Sequence, residues 1–322
     1  MSAWPWLFTS ATTLAGAVLV ALLCDRLFGE PPARVHPVVA MGRYLGWAGG
    51  RVAPRPGQPH RPWLVFVLGG LAWVLGATLV VAVAAGSVML VHETPPVWQA
   101  LLLGGLLKPL LAWRLLHEEV RAVETALAQS LDAGRARLAW LVSRDVSALT
   151  EAQVRESAIE SLAENLNDSV VAPLFWFVLA GLPGAALYRF ANTADAMWGY
   201  REERQGRDWT WAGKWAARAD DVLSWVPARI TALLLALWGP WRVWRQLALE
   251  SRLTPSPNSG WPMAAMALGL GVRLGKPGVY ALNASGRAPG PADTQRAVAH
   301  ATRVLQTLSA GAVLVLMWEN WP

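Results

Sequence analysis

The sequence predicts an all-α, polytopic integral membrane protein with about four or five transmembrane helices plus re-entrant or buried helical segments, folded as one domain over residues 1–322. Three observations predict it. Apolar residues make up 54% of the chain and charged residues 16%, against about 25% in an ordinary soluble domain. Residues 63–91 are 29 successive positions without a charge, and about 20 suffice to cross the hydrocarbon of a bilayer. Shorter or interrupted apolar stretches at 11–24, 97–116, 222–238 and 305–318 supply the other candidate spans.

The elements follow in order. Stretch 11–24 is expected to be retained as an anchor, because MSAWPWLFTS lacks the basic region of a leader and no small-residue cleavage pattern follows. Cys24, the sole cysteine, packs there as a small apolar residue and excludes an intrachain disulfide. Residues 25–62 carry Arg26, Arg34, Arg43, Arg51, Arg55 and Arg61 against Asp25 and Glu30, whereas the first ten residues are uncharged. The positive-inside rule therefore places this loop in the cytoplasm and the amino terminus outside. Its end, 53–62, holds four prolines and reads as a stiff surface connection.

Crossing out through 63–91 and back through 97–116, which carries Lys108 and Pro109, leaves 117–169 in the cytoplasm. Residues 170–187 are apolar but broken by Pro173 and by Gly181-Leu182-Pro183-Gly184, and the six positive charges from Arg189 to Arg218 also belong inside. A re-entrant or protein-buried hairpin is expected there, since about eleven residues between the breaks give only about 16 Å of helix. The same reasoning makes 261–272, between Pro257 and Arg273, a short buried helix. Both would project motif residues into one polar pocket at membrane depth.

Of the 28 basic residues only Lys108, Lys214 and Lys276 are lysines, and the net charge of +6 is scattered without a basic run, so no nucleic-acid partner is expected. Acids and amides concentrate instead between Ser143 and Asp221. Glu156, Glu160, Glu164 and Asp168 recur every four residues, a spacing that stacks carboxylates on one side of a helix. Like charges so placed repel by about 0.2 to 0.5 kcal/mol per pair unless a cation lies between them. Hard oxygen ligands suit Mg²⁺, which takes one or two carboxylates with waters and phosphate oxygens. A solvated helix face with Arg155 offsetting charge is the competing reading.

Asn192, Asp195, Tyr200 and Arg201 form a second cluster, and Lys214, Arg218, Asp220 and Asp221 a third. Lys214 and Arg218 would bind phosphate as point charge and bidentate fork; juxtamembrane ion pairs are the alternative. Gly213-Lys214 fails as a phosphate-binding loop, because DWTWAGKW lacks its first glycine and its hydroxyl residue. SPNSGWP, 256–262, opens an apolar helix either as an anion site or as a plain cap and turn. His36 is a base, a ligand or a structural hydrogen-bonder. Trp176, Trp198 and Trp261 sit inside motifs, where they either pack as core or line a pocket for a large planar ligand.

At these residues the chain resembles the adenosylcobinamide-phosphate synthase family of cobalamin biosynthesis, also described as cobyric acid to cobinamide amide synthase. The resemblance rests on DRLFGEPPARVHPVVAMG (25–42), SRDVSALTEAQVRESAIESLAENLNDSVVAPLFW (143–176), NTADAMWGY (192–200), GKWAARADD (213–221) and SPNSGWPMAAMA (256–267), five motifs in order over nearly the whole length. It implies an acid–amine ligase of the cell membrane, its site facing the cytoplasm. Such an enzyme joins the free propionate of adenosylcobyric acid to (R)-1-amino-2-propanol or its O-phosphate, with ATP and Mg²⁺. Expected partners are these substrates and membrane lipid, with self-association or docking to other enzymes of the pathway.

On chemical grounds Glu160, Glu164, Asp168 and Asp221 would hold the metal, and Arg144, Lys214 and Arg218 the phosphates. Asp145 or Asp195 would orient or deprotonate the amine, with Glu164 in the reacting centre. Asn165, Asn167, Asn192 and Asn258, with Ser259, would bind the substrate's polar fringe. A polytopic transporter and a Mg-dependent membrane prenyltransferase are the alternatives. The prenyltransferase expects repeated Asp-x-x-x-Asp clusters, where this chain has one glutamate stripe and a separate Asp220-Asp221 pair.

Overall fold

A computed structural model of the protein describes residues 9–319; the reading of 1–8 as an uncharged external start lies outside the described residues. The order is α1 (Ala11–Phe28), α2 (Pro37–Val52), α3 (Pro62–His92), α4 (Pro96–Leu107), α5 (Trp113–Leu127), α6 (Leu131–Leu138), α7 (Glu151–Leu166), α8 (Ala172–Trp198), β1 (Glu203–Arg204), β2 (Arg207–Asp208), α9 (Lys214–Leu223), α10 (Trp225–Leu237), α11 (Arg242–Glu250), α12 (Gly260–Leu270), β3 (Leu274–Lys276), β4 (Tyr280–Leu282) and α13 (Pro291–Glu319). The two antiparallel pairs, β1 with β2 and β3 with β4, are the sheet among the described residues. The fold is all-α and polytopic.

Five stretches are long and apolar enough to span a membrane: Ala11–Phe28, Pro62–His92, Pro96–Leu127, Glu151–Trp198 and Pro291–Trp318. Two expectations change. Stretch 222–238 becomes α10, 13 residues, which at 1.5 Å per residue is about 20 Å and too short for a span. Segment 170–187, expected as a re-entrant or protein-buried hairpin between two breaks, lies in a long apolar helical stretch with one break, and most of it is buried. Pro173 follows directly on a π turn, and the Ser169 carbonyl that its missing N–H would have served accepts instead from Ala112 N–H at 3.1 Å. The break that does occur is at Ala180 (φ −136°) and Gly181 (φ 63°, ψ −162°), after which Pro183 restarts the helix. That backbone is essentially reserved for glycine, so Gly181→Ala is expected to cost about 1 to 3 kcal/mol, read as a lower unfolding midpoint in detergent.

The chain packs as two compact units. In the first, 1–111 with 172–223 and 312–322, α1 packs on α4, and α2, α8 and α9 pack on α3. Helix α3 is built inside out. Its buried positions include Gly69, Gly70, Gly76, Ala77 and Ala84, while Leu71, Leu75, Leu79 and Val83 are exposed. Lipid solvates large aliphatics as well as a core does, so small residues are kept for close helix contact. At Gly104 of α4 an added Cβ would lie 2.6 Å from Val20 Cβ of α1.

This unit also holds Lys108. Its ammonium lies 3.5 Å from Asp25 Oδ1 and 3.4 Å from Glu30 Oε1, with Lys108 and Asp25 buried. His36 Nε2 bonds Glu30 Oε2 at 2.8 Å, and its Nδ1 accepts from Val38 N–H to cap α2. His36 is therefore a structural hydrogen-bonder, placed by the same motif that supplies Asp25 and Glu30.

In the second unit, 112–171 with 224–311, α7 is the central helix, packed on α5, α6, α12 and β3. Val123, Leu127, Leu138, Leu149, Val154 and Ala158 form one apolar cluster of its core. A capping box starts α7: Gln153 N–H donates to Thr150 Oγ1 at 3.4 Å and Thr150 N–H to Gln153 Oε1 at 2.8 Å. Buried Arg155 is held by both Glu124 oxygens at 2.9–3.0 Å, and Thr294 Oγ1 donates to the same carboxylate at 2.7 Å.

Candidate functional site

Helix α7 carries its acids inward. Glu156, Ser157, Glu160 and Ser161 are all buried, which removes the solvated-face reading of the stripe. The stripe does not continue to Asp168: after Leu166 the helix widens into a π turn, Asn167–Val171, and the four-residue register ends. Asp168 there accepts from Asn167 Nδ2 at 2.8 Å, and Asn167 Oδ1 accepts from Thr231 Oγ1 at 3.0 Å. Glu156 is taken by Arg273, whose Nη2 lies 3.0 Å from Oε1.

Beside Glu160 and Glu164 lies a cavity of about 330 Å³ within this unit. Three elements close it. The loop ahead of α7 brings Ser143 and Arg144, the turn ahead of α12 brings Ser256 and Ser259, and the β3–β4 hairpin brings Lys276, Val279 and Tyr280. Each is locally fixed. Asp145 Oδ1 accepts from Ser147 N–H at 2.9 Å, holding the first loop, and Ser256 Oγ accepts from the N–H groups of Asn258 and Ser259 at 3.2 Å each. The hairpin turns at Gly278 with φ 74°, where a β-carbon would be strained.

Arg144 Nη2 donates to Ser157 Oγ and, at 3.3 Å, to Glu160 Oε2. Glu160 Oε1 and Arg144 Nε are buried and make no hydrogen bond, so both edges of this ion pair have bonding capacity left over. Asn165 Nδ2 donates to Ser161 O at 2.9 Å and lines the same space. Burial, and then the charge of Glu160, push the Tyr280 hydroxyl well above the ordinary phenol range, so it is a neutral donor at any physiological pH. The cavity thus offers two cations, two carboxylates, an amide and several hydroxyls, a donor set matched to a small ligand bearing both charges.

Of the residues expected from sequence, Arg144, Glu160, Glu164, Asn165 and Ser259 meet here. Asn258 instead accepts from Arg229 Nη1 at 2.8 Å, and Asp145 is an exposed turn former whose carboxyl is lowered by the Ser147 N–H. Asn192, Asp195, Lys214, Arg218 and Asp221 belong to the first unit. There Asn192 Nδ2 lies 3.4 Å from Asp220 Oδ1, Lys214 Nζ sits 3.2 Å over the Trp211 ring, and burial raises the Asp221 carboxyl. Lys214 and Arg218 line a cleft with Trp63 and Phe66. Among the described residues no three His, Cys, Asp or Glu side chains gather as a protein-only metal cage.

Sequence reasoning missed Lys276 and Tyr280. The signal was the Pro277-Gly278 turn between a basic and an aromatic residue, a hairpin pattern in an otherwise helical chain.

The family described as CobD/Cbib protein matches residues 18–308. The chain belongs to the CobD/CbiB family. It is 39% identical over 325 residues to the cobalamin biosynthesis protein CobD of Rhodobacter capsulatus, covering 94% of this chain and 98% of that one. The CobD of Chromobacterium violaceum, carrying the same description, is 40% identical over 301 residues, 89% of this chain and 90% of that one. In Thermococcus kodakarensis the relative named probable cobalamin biosynthesis protein CobD is 41% identical over 301 residues, 93% of each. No solved structure matches. As a CobD/CbiB protein the chain works in cobalamin biosynthesis, and the α7 cavity is built from two motifs of the family resemblance, 143–176 and 256–267, together with the hairpin beyond them.

Proposed function

We propose that this CobD/CbiB protein is the ATP-dependent ligase that amidates the free propionate of adenosylcobyric acid with (R)-1-amino-2-propanol or its O-phosphate, at the cytoplasmic face of the cell membrane. The observation that carries it is the α7 cavity, where buried Glu160, paired with half-buried Arg144 and with bonding capacity unused, shares the lining with Glu164, Lys276 and Tyr280. A carboxylate is a poor acyl donor. Its oxygen attacks the γ-phosphorus of ATP, the bond from that phosphorus to the β-bridging oxygen breaks, and ADP leaves with that pair. The neutral amine then attacks the acyl carbon, phosphate departs with the C–O electrons, and the nitrogen gives up a proton to a carboxylate. Glu164, which lines the cavity, is suited to take that proton.

Magnesium fits this donor set, because Glu160 Oε1 makes no hydrogen bond and Glu164 lines the same space, the one or two carboxylates that Mg²⁺ takes beside waters and phosphate oxygens. When bound it would neutralise phosphate charge. Arg144 and Lys276 orient phosphoryl oxygens, Tyr280 donates to a developing oxyanion, and Asn165 and Ser259 hold the amine's polar groups. Lys214→Ala and Arg218→Ala carried through the assay below test whether either side chain serves the phosphates.

Full-length protein in detergent, given corrinoid acid, each amine and MgATP, is expected to sustain ADP release over many turnovers only when acid and amine are both present and to yield a product heavier by one aminopropanol unit less water. ADP release without that mass change, or neither, overturns the reading.

A further inference from the structure

The α7 cavity shares a wall with a second one. Thr254, Pro255 and Ser256 line both, and on their other side lies an open groove of about 740 Å³ within the same unit, flanked by α10 and the start of α12. Its charged lining groups are Arg229 and Arg252, with no acid. Arg229 lies over two indoles, 4.4 Å from the Trp225 ring centre and 4.8 Å from that of Trp261. Its guanidinium plane is held by bonds to Trp225 O at 2.8 Å, Asn258 Oδ1 at 2.8 Å and Pro257 O at 3.2 Å. Two indoles with a guanidinium held against both present flat surfaces to a large planar ligand. Of the three tryptophans that the sequence marked for this role, Trp198 is buried against Trp209 and Trp176 donates to Leu223 O, whereas Trp261 lines the groove.

We propose that this groove seats the macrocycle of the acid substrate, a planar corrinoid fringed with amide carbonyls, while its free propionate crosses the Thr254–Ser256 wall into the α7 cavity. The inference rests on the ligase reading above. At about 330 Å³ the α7 cavity lies at the small end of ligand pockets, sized for the amine and the reacting groups rather than for a macrocycle. The groove supplies the missing volume next to it, and its two arginines suit amide and carboxylate oxygens while repelling no part of an acid.

The test is equilibrium dialysis of full-length detergent-solubilised protein against a coloured corrinoid acid, read by visible absorbance, beside steady-state ligation. Trp261→Leu is expected to weaken corrinoid binding about tenfold and raise its KM, with the amine KM within about twofold. Because Trp261 also steadies Arg229, Leu233→Trp serves as the second variant: Leu233 is exposed on the groove wall, and an indole there fills the space without removing a buried contact. It is expected to weaken corrinoid binding likewise. Corrinoid bound as tightly by Leu233→Trp as by the unaltered protein overturns the proposal, as does a Leu233→Trp that loses co-purifying phospholipid instead. If the unaltered protein ligates normally and both variants keep its corrinoid KM, the groove assignment fails and the ligase reading stands. If it binds corrinoid through Trp261 yet forms no amide, the reverse holds.

Discussion

Glu164→Gln is expected to lower acid- and amine-dependent ADP release about 100-fold or more and to raise the magnesium requirement, while Asp168→Asn costs under about tenfold. By sequence spacing alone the two are equivalent members of one stripe. The fold separates them, since Glu164 lines the α7 cavity and Asp168 lies in the π turn beside Asn167. Glutamine keeps the shape and removes the charge, so the loss reports the carboxylate itself. Steady-state turnover with magnesium titrated for each variant decides it. Equal losses at the two positions, or a Glu164→Gln that turns over normally, would overturn the assignment of the site to this cavity.

Lys108→Ala is expected to destabilise the fold by about 3 to 5 kcal/mol, because it removes a buried cation from beside the buried Asp25 carboxylate and the half-buried Glu30. The measurement is the unfolding midpoint in detergent, followed by fluorescence or by loss of the monodisperse peak on size exclusion. Adding Asp25→Asn to Lys108→Ala should recover part of the loss, since one stranded charge is then gone. A Lys108→Ala that melts with the unaltered protein would show the cluster to be hydrated rather than buried.

Much of the fold was legible in the sequence wherever one local property decided it. Helix α3 was bounded to within a residue because nothing in 63–91 is charged and Pro62 marks its start. The break at Gly181 was legible for the same kind of reason. Pro173 misled because its effect depends on position within a helix, and the π turn before it has no sequence rule. Lys108 had no local explanation at all: its partners lie some eighty positions earlier, in a motif that by itself reads as a proline-rich loop.

The candidate site divides similarly. Acids at four-residue spacing pointed to α7, and Arg144, Asn165 and Ser259 were found because they sit in polar motifs among apolar sequence. Whether those acids face water or protein is a tertiary fact, set by α5, α6, α12 and β3 around α7. The same packing assigned Glu156 to Arg273 and Asn258 to Arg229, so that two residues that looked available for ligands are tied up in holding the walls.

Lys276 and Tyr280 are direct cross-strand partners in the β3–β4 ladder, and side chains so paired stand on one face of the ribbon. One element thus presents both the ammonium and the phenol to the cavity. A slip of the ladder by one residue would turn both out of the cavity together, so a single register fixes a charge and a hydroxyl at one stroke.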